Sequence, residues 1–248
     1  MPSNLPTLTL IGTVHRDPQG HQRLSCLLDQ LQPDLLTLEM SSYALHYRQT
    51  RGRQQLLRLE RFLERLAEET GRSLQELESC QAVCDIHKLL ALPYEYLAAR
   101  DYAARRNCHL ELLDLAEVSA LKLKRAERGL ISYRNLKILT ALPENNLSQS
   151  QESYRTAHSL LLKDPETSVC AAFLNQRRGA EGVGPRDRDM AEQIRRLLQG
   201  LPGRHLAHIG GWVHLLADPL GETLFSRLSE FSPIRRLLWS NRVPGSPA

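Results

Sequence analysis

Two strand-like stretches decide the fold of this chain, "LTLIGTVHRD" at residues 8–17 and "AHIGGWVH" at residues 207–214. Each is a run of apolar, partly β-branched residues that leads into the pattern Gly-x-x-His, which ends at His15 in the first stretch and at His214 in the second. Short apolar runs bounded by glycine are typical of strands buried in a sheet. Either the repetition is a coincidence, or the two histidines face one site.

Two further apolar runs end in an acid, "LLTLE" at Leu35–Glu39 and "HLELLD" at His109–Asp114. A helical pattern over residues 17–31 separates the first two strands, which predicts a βαβ unit whose strands are parallel and neighbouring. Along the chain the order is strand, helix, strand, several helices, strand, several helices, strand. Strands that alternate with helices predict an α/β fold with a central, mainly parallel sheet flanked by many helices.

We expect a single α/β domain over residues 1–248, with a helical insertion at roughly 43–92 and a frayed tail at 240–248. Ser73 and Glu76 form the pattern of a capping box, and Pro93 is placed as the first residue of another helix. Helices are also predicted over residues 151–163, 165–177 and 185–199 and, after the last strand, over most of the chain up to residue 239.

Composition and charge exclude some classes of protein. Apolar residues make up 42% of the chain and charged residues 24%, as in globular proteins. No apolar run approaches the roughly 18 residues of a membrane span, and the N-terminus lacks a basic region and a cleavage site, so we expect a cytoplasmic protein without a membrane segment. The net charge is only +4, glutamates alternate with the arginines of residues 48–72, and only 5% of residues are aromatic, so we expect no nucleic-acid partner.

The residues most able to do chemistry follow the predicted strands. His15, Glu39, Asp114 and His214 all lie at or just past a strand end. Sites in open parallel sheets form beyond the carboxyl ends of the strands, so we expect these side chains to meet there. The glycines of the two motifs, Gly12 and Gly211, are interpreted as allowing a tight turn that other residues would strain.

Two histidines and one carboxylate admit two kinds of chemistry. His15, Glu39 and His214 form the ligand set of many hydrolytic metal sites, in which a divalent ion polarises a carbonyl and activates water. Without a metal, His15 could be a general base that Glu39 or His214 orients. Arg186, at the start of a helix, could bind a substrate carboxylate or an oxyanion, or lie on the surface. Glu95 is a further ligand or, as we favour, an ordinary acid of a first helical turn.

The remaining histidines lack such a context, and we interpret most of them as surface or core residues: His21, His46, His87, His109, His158, His205 and His208.

Five motifs in order, "LIGTVH", "QPDLLTLEM", "PYEYLAARDYAARRNCHLELLD", "RDRDMAEQI" and "HIGGWVH", resemble those of the TraB/PrgY/GumN family. That family belongs to a superfamily with the Tiki metalloproteases, the erythromycin esterases and the ChaN-like haem-binding proteins. The resemblance implies a Tiki-like, ChaN-like or erythromycin-esterase-like fold and an active centre with paired Gly-x-x-His motifs. The matching positions are Gly12, His15, Glu39, Glu95, Asp114, Arg186, Gly211 and His214.

The chain departs from the family pattern at three points. Pro185 stands where an acid commonly precedes the arginine, and Trp212 is bulky where small residues are usual, which suggests a narrowed or lidded site. We also expect no C-terminal membrane segment of the kind that many TraB-type members have, which argues against a role at a membrane.

The expected function is that of a Tiki/TraB-type hydrolase, divalent-metal-dependent (Mn, Co or Zn), that cleaves an amide bond of a peptide or an ester bond of a small molecule. In this interpretation His15, Glu39 and His214 hold the metal or form a metal-free base assembly, and Arg186 stabilises the developing negative charge. One alternative is a non-catalytic protein of the ChaN-like type that binds haem or a metal. Another is an interaction module that uses the helices rich in arginine and glutamate.

Overall fold

The computed structural model describes residues 5–15, 17–129, 131–142, 149–162, 167–179 and 181–239. The predicted frayed tail at 240–248 lies outside these residues. The chain forms two compact units. The first takes in Met1–Glu39, Tyr94–Asp114 and Ser148–Ala248, and the second Met40–Pro93 and Leu115–Leu147. Residues 43–92, the expected insertion, all fall in the second unit.

The first unit contains a five-stranded sheet in which every strand pair is parallel. Its strands are β1 (Thr7–Thr13), β2 (Leu35–Leu38), β3 (His109–Leu112), β4 (His205–Gly211) and β5 (Ile234–Leu237). The described α-helices of this unit include Gly20–Leu31, Tyr94–Arg106, Gln149–Leu162, Thr167–Asn175, Pro185–Gln199 and Leu224–Arg227. The predicted α/β class, with a parallel sheet flanked by helices, is confirmed.

The strand order is β3-β2-β4-β1-β5, so the prediction that the first two strands are neighbours is wrong. β4 lies between them and pairs with β1 over seven residues, from Thr7 opposite His205 to Thr13 opposite Gly211. β4 is buried over Leu206–Gly210, as expected of a strand with a partner on each side. This order places the two Gly-x-x-His motifs at the ends of adjacent strands.

The segment after β4 differs from the predicted helix. It forms a 3-10 helix over Trp212–Leu215, a helix over Leu224–Arg227, a 3-10 turn over Ser229–Phe231 and then β5. β5 is an edge strand whose four residues, "IRRL", include two arginines. A strand this short, with charged residues and one free edge, has no distinctive apolar run, which is why the sequence pattern missed it.

The described helices of the second unit are Ser42–Tyr47, Arg53–Thr70, Leu74–Ser79, Gln81–Leu90, Ala116–Gly129 and Tyr133–Ala141, with a π-helical segment at Arg48–Gly52. The predicted capping box is present, since Ser73 and Glu76 each bond the other's backbone N–H. No helix in the described ranges is long and apolar enough to cross a bilayer.

The predicted helix ends differ by a few residues from the observed ones. The helix expected at 151–163 covers Gln149–Leu162, and the one expected at 165–177 is described over Thr167–Asn175. The sequence predicts Asp164 as the N-cap of this second helix, and that residue lies outside the described residues. Helix Tyr94–Arg106 begins one residue after Pro93, close to the predicted start.

Candidate active site

The carboxyl edge of the sheet gathers the predicted residues. Glu39 directly follows β2, and Asp114 lies two residues past β3. His15 lies two residues past β1, and His214 lies in the 3-10 helix that follows β4. The structure therefore places these four side chains at the carboxyl ends of the strands, where sites form in open parallel sheets.

Glu39 is the centre of the cluster, and its side chain is only 5% exposed. Its Oε2 accepts the backbone N–H of Gly211 at 2.7 Å. Its Oε1 accepts from Nη2 of Arg186 at 2.5 Å and lies 3.2 Å from Nε2 of His214. Burial raises the pKa of Glu39, but the positive charges of His214 and Arg186 outweigh burial and hold this pKa well below its ordinary value. Glu39 is therefore a carboxylate at neutral pH.

His214 lies between two carboxylates. Its Nδ1 is 2.7 Å from Oδ1 of Asp187, and its Nε2 faces Glu39. Burial lowers the pKa of His214, but the charges of Glu39 and Asp187 raise it further, to about 10. His214 is therefore an imidazolium at neutral pH and donates from both nitrogens.

Asp187 is a site residue that the sequence analysis missed. It lies in the first turn of helix Pro185–Gln199 and is fully buried. Besides contacting His214, its Oδ1 accepts the N–H of Leu224 at 2.7 Å, which fixes the carboxylate. In the sequence, only its position beside Arg186 distinguishes Asp187 from other acids. An acid in a first helical turn is common for electrostatic reasons alone and therefore does not by itself indicate a functional site.

His15 is oriented by Glu95 rather than by Glu39 or His214. Its Nδ1 lies 2.8 Å from Oε1 of Glu95, and that carboxylate also accepts from the hydroxyl of Thr13 at 3.2 Å. The interpretation of Glu95 as an ordinary helix-start acid is wrong, because the residue is 4% exposed and bonded to two residues of the β1 end. Glu95 lies in the first turn of helix Tyr94–Arg106, and its hydrogen bond to His15 joins this turn to the segment that follows β1.

The pKa of His15 lies above its ordinary value. Desolvation lowers this pKa, but the hydrogen bond and charge of Glu95, followed by the charge of Glu39, outweigh it. The His15 side chain is 60% exposed, in contrast to His214 at 8%. His15 is therefore the histidine that solvent and a substrate can reach.

Two tyrosines hold the backbone beside His15. The N–H of Val14 donates to the hydroxyl of Tyr154 at 3.4 Å, and the hydroxyl of Tyr94 donates to the carbonyl of Val14 at 3.1 Å. Tyr154 in turn donates to Oδ2 of Asp17 at 3.1 Å. Both polar groups of Val14 are thus hydrogen-bonded to tyrosine hydroxyls, one of them on the buried Tyr154, which limits the movement of His15.

The two motif glycines serve packing rather than turn geometry. Gly211 has φ −61° and ψ 136°, which any residue adopts, so the tight-turn interpretation is wrong. A Cβ at Gly211 would lie 3.3 Å from Nε2 of His15, 3.5 Å from Oε2 of Glu39 and 3.6 Å from Cδ2 of His214. A Cβ at Gly12 would instead lie 3.1 Å from Cα of Trp212. Gly211 thus leaves space inside the cluster, and Gly12 lets two backbone segments approach.

Arg186 is bound on two sides by acids. Its Nε donates to Oδ1 of Asp114 at 2.8 Å and its Nη2 donates to Glu39. The residue is 8% exposed, so it is not a surface arginine. Its guanidinium is already hydrogen-bonded to the carboxylates that follow β2 and β3. This favours a role in positioning Glu39 over the expected role in binding a substrate anion.

The indole of Trp212 contacts Ser153 and Phe173. Its Nε1 donates to the hydroxyl of Ser153 at 3.1 Å, and its ring centroid is 5.3 Å from that of Phe173. The bulky residue in the second motif is therefore packed against the helices that contain these two partners.

The donor set does not fit a divalent ion in this arrangement. Both nitrogens of His214 face carboxylates, and Oε1 of Glu39 already accepts from Arg186. Within the ranges that the structure describes, no group of three or more His, Cys, Asp and Glu is disposed to hold a metal. For the same reason His214 offers no free nitrogen to a haem iron. The chemistry of these side chains favours acid–base work.

The geometry defines the chain as a parallel-sheet α/β protein with an acid–histidine cluster at the strand ends. Comparison with protein-family models, with curated proteins and with solved structures found no match for the chain. The TraB/PrgY/GumN resemblance of its motifs therefore stays a prediction.

Proposed function

We propose that this chain is a hydrolase that cleaves an amide or ester bond, with His15 as its general base. The observation that supports the proposal best is the pairing of an exposed imidazole with a buried carboxylate, His15 Nδ1 to Glu95 Oε1 at 2.8 Å. A carboxylate on Nδ1 fixes the tautomer with a free Nε2 and stabilises the imidazolium that forms when Nε2 takes a proton.

A reacting water would sit in front of Gly211, between the side chains of His15 and Glu39. Nε2 of His15 and Oε2 of Glu39 flank this glycine, since a Cβ built on Gly211 would lie 3.3 and 3.5 Å from them. A water held there can transfer one proton to His15. Its other hydrogen donates a hydrogen bond to Glu39, which stays ionised. The ionised state of Glu39 follows from its contacts with Arg186 and His214.

The proposed reaction has two proton transfers. Nε2 of His15 removes a proton from water as the oxygen attacks the substrate carbonyl carbon and the carbonyl π electrons move to oxygen. The tetrahedral adduct then collapses, and the C–N or C–O bond breaks as the His15 imidazolium returns the proton to the leaving nitrogen or oxygen. Glu95 balances the charge on His15 between these two transfers.

The test is hydrolysis of a panel of peptides and small esters by the wild type, His15→Ala and a matched control. His21→Ala is the control, because His21 also faces a carboxylate, Asp101 at 3.5 Å, but lies outside the cluster and is half exposed. We expect His15→Ala to lose about 10²- to 10⁴-fold in kcat/KM and the control to keep its activity. Equal activity of all three proteins on a cleaved substrate would refute the role of His15.

Removal of metal with a chelator and addition of haem distinguish the proposed function from its two alternatives. Activity that survives exhaustive chelation supports the metal-independent chemistry proposed above. Activity that is lost to a chelator and restored by Mn²⁺, Co²⁺ or Zn²⁺ would support the metal-dependent hydrolase instead. A Soret band on adding haem, lost in His214→Ala, would support the non-catalytic binding protein.

A further inference from the structure

A third histidine lies beneath the cluster and takes no part in the proposed chemistry. His208, in the middle of β4, has no exposed surface. Its Nδ1 is 2.9 Å from the hydroxyl of Thr37, the residue opposite it on β2. Its Nε2 has no hydrogen-bond partner among the described residues. A buried ring nitrogen without a hydrogen-bond partner is energetically unfavourable, so we expect a bound group to satisfy this atom.

The register of the sheet places His208 diagonally across from Glu39, on the neighbouring strand and on the same face. Side chains two residues apart on a strand share a face, so Thr37 and Glu39 share a face of β2, and His208 and Gly210 share a face of β4. Thr37 pairs with His208 across the two strands, so all four positions lie on one face of the sheet. His208 and Thr37 form the inner row, and Glu39 and Gly210 form the outer row.

Gly210 has no side chain that would crowd the polar atoms of the two rows. A Cβ built on it would lie 3.0 Å from Nε2 of His208 and 3.0 Å from Oε2 of Glu39. Two polar atoms from different strands therefore flank Gly210, and any larger residue at this position would crowd both. His208, Gly210 and the side chain of Glu39 are buried, so a group bound between the two atoms is shielded from bulk solvent.

We propose that one water molecule binds between these two atoms and bridges Nε2 of His208 and Oε2 of Glu39. A water can donate to the carboxylate and either donate to or accept from the ring, so it satisfies the nitrogen in both neutral tautomers. Burial lowers the pKa of His208 to about 4, which is consistent with a neutral ring. The bridge would make His208 a positioning residue for Glu39, and this part rests on the proposed function, whereas the water site does not.

Crystal structures of the wild type, His208→Leu and His205→Leu, at a resolution that locates waters, test the site. His205 is the matched control, because its Nε2 also lies 2.9 Å from a threonine hydroxyl, that of Thr9, at the other end of β4. We expect a water within about 3.2 Å of both atoms in the wild type and in His205→Leu, and none in His208→Leu. The wild-type structure alone overturns the proposal if this position holds no water.

Ring ¹⁵N resonances test the positioning role without an activity assay. If His208 positions Glu39 through the water, the ¹⁵N shifts of His214, which contacts Glu39, change in His208→Leu and stay unchanged in His205→Leu. A loss of thermal stability in His208→Leu with unchanged His214 resonances would reduce His208 to a structural residue. Failure of the hydrolysis assay would leave both results interpretable, since neither measurement needs a substrate.

Discussion

Substitution of Gly211 by alanine tests whether this position requires glycine for the space it leaves beside the histidines or for its backbone angles. Gly211 has backbone angles that alanine adopts without strain. Its new methyl group would lie 3.3 Å from Nε2 of His15, 3.5 Å from Oε2 of Glu39 and 3.6 Å from Cδ2 of His214. These are close but tolerable contacts, so the fold accepts the methyl, whereas the proposed position of the reacting water does not.

The two expected effects have opposite signs. Replacing a glycine at a compatible backbone position stabilises a protein by about 0.4–1 kcal/mol, because the unfolded chain loses freedom. The slightly tight contact with His15 offsets part of this, so we expect a melting temperature within about 3 °C of the wild type. Displacement of the reacting water by about 1 Å costs on the order of 10²-fold, so we expect kcat/KM on the best substrate to fall by that factor.

Thermal denaturation and the hydrolysis panel measure these effects, with two comparison variants. Gly200→Ala is a matched control, because Gly200 also has a negative φ, and its nearest contact, 3.6 Å, is ordinary and lies outside the cluster. Gly12→Ala should be clearly destabilising, because its Cβ would lie 3.1 Å from the backbone of Trp212. A Gly211→Ala variant that is strongly destabilised, or that is stable with full activity, would refute the reasoning.

Two further predictions concern charge. In Glu95→Gln the pKa of His15 should fall, because a negative charge that raises it is removed, so the acid limb of kcat/KM should move to lower pH while the rate drops by on the order of 10²; an unmoved pH profile would contradict the pairing. The pKa of His214 is raised to about 10 in the folded state from 6.5, so its contribution to stability, on the order of a few kcal/mol, is complete below about pH 6.5 and is lost as the pH rises toward 10. Urea denaturation from pH 6 to 10 should show this decline, and Asp187→Asn should flatten it; parallel curves for the two proteins would contradict the assignment.

The sequence predicted the elements of the sheet better than their order. Apolar runs and glycine boundaries identified β1 to β4, because the period of side chains along a strand is a local property. The insertion of β4 between β1 and β2 depends on pairing between residues far apart in the chain, which no local pattern reports. β5 was missed because two of its four residues are arginines at an exposed edge.

The sequence predicted where the candidate site residues lie in the fold but not which residues are their hydrogen-bond partners. Strand ends located His15, Glu39, Asp114 and His214, because topology alone brings such residues together. The partners of the histidines, Glu95 and Asp187, lie in first helical turns, where acids are common for reasons unrelated to catalysis. Only their burial, at 4% and 0% exposure, distinguishes them from ordinary helix-start acids.

His208 was interpreted as a core or surface histidine, and the structure places it in the core. The sequence alone did not show that polar atoms of His208 and Glu39 flank Gly210, two residues further along the strand. The neighbouring strand supplies the carboxylate of Glu39, and this makes an otherwise ordinary buried histidine a candidate for binding water. These contacts join residues of two different strands, so the sequence of either strand alone does not indicate them.

The two Gly-x-x-His motifs look alike in sequence, but their surroundings make their histidines unequal. His15 has one carboxylate partner and a side chain that is 60% exposed, so it can exchange a proton with a substrate or water. His214 has a carboxylate on each nitrogen and is buried, which keeps its proton in place through the neutral range. Pairs of titratable groups whose environments separate their pKa values are a common basis for dividing acid–base roles. Under the proposed function, the first motif transfers the proton and the second fixes the charge of Glu39. Replacing His15 should then impair the chemistry, whereas replacing His214 should first disturb the carboxylate on which that chemistry depends.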